Sequence, residues 1–178
     1  MTKVSKKVAY LGVFTALSLI CFLIENLLPP LFIPGARLGL GNIFIILALV
    51  LYSLPEAFIL LAAKCILAAI FGGPIAILYS AAAGVVSLIL TFLLIRFLSE
   101  RVSVVAIAAL SAVVHNMTQL TVYALITKAK EVFLYAPYLA VAGLAAGIVT
   151  GLVAFLILKY FPFDKVSKDK STIQTEEI

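Results

Sequence analysis

Lys64 stands near the middle of an otherwise apolar run, Pro55 to Phe71, in a chain that is 65% hydrophobic with a mean hydropathy of +1.25. An ammonium at that depth costs several kcal/mol, on the order of 3 on insertion scales, unless a protein group or a ligand receives it. A second polar set lies farther along. Ser111, His115, Asn116, Gln119 and Tyr123 fall in one apolar segment; 115, 119 and 123 are successive helical turns, and 116 to 119 is the three-residue step, so they share one helix face. Such a stripe turns inward, either to hydrogen-bond a neighbouring helix or to touch a ligand. The need of Lys64 for a partner favours ligand contact.

Other chemistry fails on inventory. The single histidine has no carboxylate in its own span, and His, Cys, Asp and Glu are too thin within the apolar segments to supply the three or four ligands of a metal site. No aspartate precedes Asp164, which excludes Mg²⁺ held on paired aspartates in the membrane region, and no G-x-x-x-x-G-K-[ST] sequence cradles ATP. The expected catalytic set is empty, and no cofactor is required for chemistry. Cys21 and Cys65 lie in apolar runs without CxxC spacing and read as small buried hydrophobes.

These side chains must be positioned by membrane helices. Charged residues make up only 12% of the 178, too few to cover a soluble globule of this size. The spans expected are Val8–Leu28, Leu38–Ser53, Pro55–Phe71, Pro74–Leu98, Val102–Thr127 and Tyr138–Phe161, with all seven prolines at or near their boundaries. The second and third are short, about 25 Å of helix. The first follows Lys3, Lys6 and Lys7 but has no A-x-A-like cleavage site, so it reads as a retained helix.

Six spans put both ends on one side. That side carries nine of the basic residues, from Lys3 to Lys170, against Arg37, Lys128 and Lys130 opposite, which makes both termini cytoplasmic. The net charge of +5 therefore follows topology and forms no nucleic-acid surface. The expected fold is an all-α integral membrane bundle of six helices over residues 1–162, with residues 163–178 a polar, disordered cytoplasmic tail. A bacterial cytoplasmic membrane is the expected location.

Several features refine this frame. The Gly- and Pro-rich segment from Leu31 to Asn42 precedes the second span and suits a lid over the outer mouth, with Pro34, Gly35, Arg37, Gly39 and Gly41 shaping it and Asn42 reaching inside. Arg37 fits the entrance or a headgroup anchor equally. Tyr79, Tyr123, Tyr135 and Tyr138 map to the outer half; Tyr79 and Tyr123 suit stacking on a planar ligand, and Tyr135 suits an interfacial belt. Gly143, Gly147 and Gly151 form a ridge for close helix approach in the last span, and Gly12 with Ala16 a smaller one in the first.

The Pro-Gly-x-x-x-Gly-Leu-Gly-Asn segment at 34–42, the Gly-Gly-Pro turn at 72–74 and the His-Asn-x-x-Gln face at 115–119 resemble the family called heptaprenyl diphosphate synthase component I, or Gx transporters, over about residues 5–162. That family in turn resembles the substrate-binding S components of energy-coupling-factor (ECF) transporters. The resemblance implies a membrane-embedded protein that captures a small molecule and docks on a transmembrane coupling subunit driven by two ATPases. It also implies that Gly12 and Ala16 are the docking patch, since S components use an Ala-x-x-x-Ala-like patch there. Asn42, Lys64, Tyr79, His115, Asn116, Gln119 and Tyr123 are then the expected binding residues, with a flavin or a quinone precursor as the expected ligand. The synthase label conflicts with the missing aspartate-rich motifs, so any role beside such an enzyme would be non-catalytic.

Overall fold

The computed structural model describes residues 3–27, 39–72 and 74–161. These form six α-helices: α1 (Lys3–Leu27), α2 (Asn42–Leu51), α3 (Leu54–Gly72), α4 (Pro74–Leu98), α5 (Val104–Thr127) and α6 (Ala136–Tyr160), with a short 3-10 helix at Lys130–Tyr135 leading into the last. Among the described residues there is no strand. Among the described residues, four stretches are long and apolar enough to cross a membrane: Val4–Glu25, Ser80–Leu98, Val104–Thr127 and Lys130–Tyr160.

Helix ends follow local chemistry. Ser103 caps α5 by accepting the Ala106 N–H at 3.2 Å, and Lys128 ends it in the left-handed region at φ 55°. Pro55, Pro74 and Pro137 each fall in a first turn, where the missing N–H has no intrahelical partner to lose.

The second span departs from expectation. In place of Leu38–Ser53, α2 covers ten residues, about 15 Å and so about half the hydrocarbon thickness. Ile43 through Leu49 are buried without interruption, so it has no lipid-facing side. A continuous apolar run reads alike whether lipid or protein surrounds it, and here the surroundings are α1, α3, α4 and α6. Its core partners include Phe14, Leu60, Leu61, Leu88 and Ala154.

α1 lies at the periphery, packed on α2 and α3. Val4, Val8, Val13, Leu17, Ile20 and Ile24 make its exposed apolar face. Near its start, Lys7 pairs with Glu56 of α3, which also accepts from Ser53.

α5 and α6 make the closest helix contact. A Cβ on Gly147 would sit 2.5 Å from the Ala109 Cα, and one on Gly151 2.8 Å from the Val105 Cα. The ridge read from the sequence thus brings the two backbones together. Residues 163–178, expected as a tail, lie outside the described residues.

Candidate functional site

Two polar groups form inside the bundle. The first gathers where α2 begins. Gly39, at φ +78°, accepts the Asn42 N–H at 2.8 Å and closes the turn that starts the helix; only glycine adopts that backbone at ease. Ser18, fully buried in α1, donates its hydroxyl to the Gly41 carbonyl at 2.9 Å. Glu25, about two turns farther along α1, accepts the Leu40 N–H. From α3, the Lys64 ammonium donates to the Asn42 Oδ1 at 3.2 Å.

Gly41 allows this convergence. A Cβ there would lie 2.9 Å from Lys64 Nζ and 2.9 Å from the Ser18 carbonyl oxygen. Cys21 stands within electrostatic reach of both Glu25 and Lys64, so the carboxylate and the ammonium serve one neighbourhood. The long Lys64 side chain therefore meets a polar partner inside the bundle.

The second group runs along α5. His115 Nδ1 and Ser87 Oγ of α4 are 3.2 Å apart, and the Ser87 hydroxyl also lies 3.1 Å from the Gly84 carbonyl. Thr91 Oγ1 is 2.7 Å from both the Ser87 carbonyl and Ser111 Oγ. One hydroxyl has one proton, so Thr91 donates to the carbonyl and accepts from Ser111. Toward α6, Asn116 Nδ2 donates to the Leu139 carbonyl at 3.3 Å, and a Cβ on Gly143 would come within 2.8 Å of that nitrogen.

Gln119 differs from these. It is 4% exposed, and among the described residues neither its Nε2 nor its Oε1 has a hydrogen-bond partner. Tyr123, one turn onward, is half-buried.

Of the expected binding residues, the structure joins Lys64 to Asn42 directly and sets His115, Asn116 and Gln119 on the buried face of α5. The two groups occupy different helix sets, α1–α2–α3 and α4–α5–α6. Much of the α5 stripe is engaged in helix-to-helix bonds, the packing alternative open in the sequence. Tyr79 falls on α4, with its side chain outside the described residues. Tyr135 and Tyr138 are exposed, as an interfacial position requires. Of the lid, Gly39 and Gly41 are placed as above, while Pro34, Gly35 and Arg37 lie outside the described residues. Gly12 and Ala16 are exposed on α1, and a Cβ on Gly12 would meet nothing within 4 Å.

Sequence reasoning missed Ser18 and Glu25. Glu25 is an acidic residue seven positions beyond Ser18 in an apolar helix, and that spacing puts both on one face two turns apart. The signal was present. Among the described residues no three His, Cys, Asp or Glu side chains gather as a metal site would need.

Several membrane-length helices, a half-length central helix and two polar groups inside the bundle define a membrane-associated protein with a polar interior. A family model described as heptaprenyl diphosphate synthase component I matches residues 14–157, well over half of the chain, and the protein belongs to that family. No curated protein and no solved structure matches it.

Proposed function

We propose that this chain is the membrane-embedded small-molecule-binding subunit of an ECF-type transporter, and that its ligand is a flavin or a similar aromatic cofactor or precursor. One observation carries the reading: Lys64, Asn42, Ser18 and Glu25 converge on the start of a half-length helix. Irregular backbone at membrane depth is kept where protein or a ligand cavity satisfies it, and discontinuous helices of this kind build substrate sites in transporters. Because α2 starts only at Asn42, Lys64 reaches its first turn from the longer α3, and Gln119 and Tyr123 lie on the longer α5. The segment before Gly39 would be the lid.

The open α1 face around Gly12 and Ala16 supports docking of a transmembrane coupling subunit, itself driven by two ATPase subunits. Both termini would face the cytoplasm of a bacterial cell. Native mass spectrometry and absorbance of the detergent-purified protein test the ligand. A bound chromophore lost in Lys64→Met, with the fold retained, is the expected result; a mutant that binds as the parent does removes Lys64 from the site. Replacing Gly12 and Ala16 together with Leu should abolish co-purification with the coupling subunit and leave ligand binding intact.

The family description favours a second reading, a non-catalytic membrane component that works beside a prenyl diphosphate synthase or handles a quinone precursor. Labelled isopentenyl diphosphate separates the two. Chain elongation that needs this protein added to a soluble synthase would support the second, and elongation by this protein alone would overturn both.

A further inference from the structure

We infer that Gln119 recognises a neutral lactam or imide edge of the ligand. This rests on the reading of the chain as a small-molecule-binding subunit and adds the chemical class that one part of the site takes. A buried amide that has lost water at both ends and gained no partner is destabilising, so a ligand that pairs with it is favoured. Among the described residues both ends of the Gln119 amide are in that condition, and the residue is 4% exposed. Its neighbours on the helix face are not: Asn116 is bonded to the Leu139 carbonyl, and His115 to Ser87.

The direction of the side chain follows from those two bonds. His115, one turn before Gln119, faces α4, and Asn116, three residues before it, faces α6. Gln119 lies between these directions, toward the bundle interior.

A primary carboxamide offers one acceptor and two donors side by side and carries no charge. The matching partner presents an N–H beside a C=O, so that two antiparallel hydrogen bonds form at once. Ring lactams and imides hold their N–H and C=O cis and present that edge without rotation. An ionised group seated here would need a counter-charge. Glu25 and Lys64, however, converge on the Gly39–Asn42 turn, in the other polar group. A neutral edge fits the amide, and any charged part of the ligand belongs beside that turn.

Lumichrome, a neutral fluorescent tricycle with lactam and imide edges, is the probe, and 1,3-dimethyllumichrome, which lacks both ring N–H groups, is its control. Fluorescence titration of the full chain in detergent should show lumichrome bound at least about tenfold more tightly than its dimethyl derivative, as loss of paired hydrogen bonds in a buried site requires. Gln119→Leu should erase that preference by weakening lumichrome alone. Without any probe, Gln119→Leu should melt at or above the parent temperature, because it removes two buried unbonded atoms.

Equal affinity of the parent for both compounds, or no saturable lumichrome binding, overturns the assignment. So does a marked fall in melting temperature, which would mean that the amide is bonded within the fold. If Gln119→Leu does not fold, Gln119→Met reads the same two quantities with a flexible chain of similar length. If another compound travels with the purified parent while lumichrome fails to bind, the binding-subunit reading stands and the imide assignment falls.

Discussion

Glu25 and Lys64 hold the same short turn from two different helices. The carboxylate accepts the Leu40 N–H and the ammonium donates to the Asn42 side chain, two residues on and across Gly41. Opposite charges at the start of a buried helix make its position depend on both α1 and α3.

Removing one charge leaves the other without compensation in a poorly hydrated place. Lys64→Met and Glu25→Gln should each lower stability in detergent by about 2–4 kcal/mol, and the double mutant should lose less than their sum. Melting of the four proteins in one cycle measures the coupling. Strict additivity would show that the two charges act independently.

Gly41→Ala should displace Lys64. Its Cβ would stand 2.9 Å from the ammonium and equally close to the Ser18 backbone, which cannot swing aside. A cost of about 1–3 kcal/mol is expected from overpacking. Hydrogen exchange should rise at the first amides of α2 while α5 keeps its protection, and unchanged exchange would contradict the crowding.

Glycines on the two small-residue patches should behave oppositely. Gly147→Ala drives a methyl into the Ala109 backbone and should cost about 1–3 kcal/mol, because neither helix can relax without separating. Gly12→Ala meets no atom and should be neutral or stabilise α1 by up to about 1 kcal/mol. Thermal melting in detergent ranks them, and a tolerant Gly147 would remove the ridge from the account of α5–α6 packing.

The Thr91–Ser111 bond ties α4 to α5 at 2.7 Å. A cycle of Thr91→Val and Ser111→Ala should give a coupling of about 0.6 kcal/mol, in the range of interhelical hydrogen bonds in membranes. Zero coupling would mean that the hydroxyls find equal partners elsewhere.

Much of this arrangement was legible before any coordinates. Proline positions and apolar runs placed α3, α4, α5 and α6 to within about two residues, since a helix in lipid must bond its own backbone throughout. The inward face of α5 followed from spacing alone. The start of α2 did not, because Leu38 and Leu40 are as apolar as the helix that follows, and the turn through Gly39 and Gly41 makes Asn42 its first residue. Glu25 escaped for a related reason. An acidic residue near the end of an apolar run reads as interfacial, and its contact with Leu40 depends on a backbone fold fifteen residues later. The resting state of Gln119 was also invisible, because spacing assigns a face and not a partner.

The half-length of α2 bears on how the protein enters the membrane. Ten residues fall well below the roughly 20 that a lone spanning segment needs, so this stretch has little capacity to partition into lipid by itself. Its seven consecutive buried residues need α1, α3, α4 and α6 around them. Its burial is therefore complete only once α6 has been made. The central element of the bundle is among the first made and, by this constraint, among the last to settle.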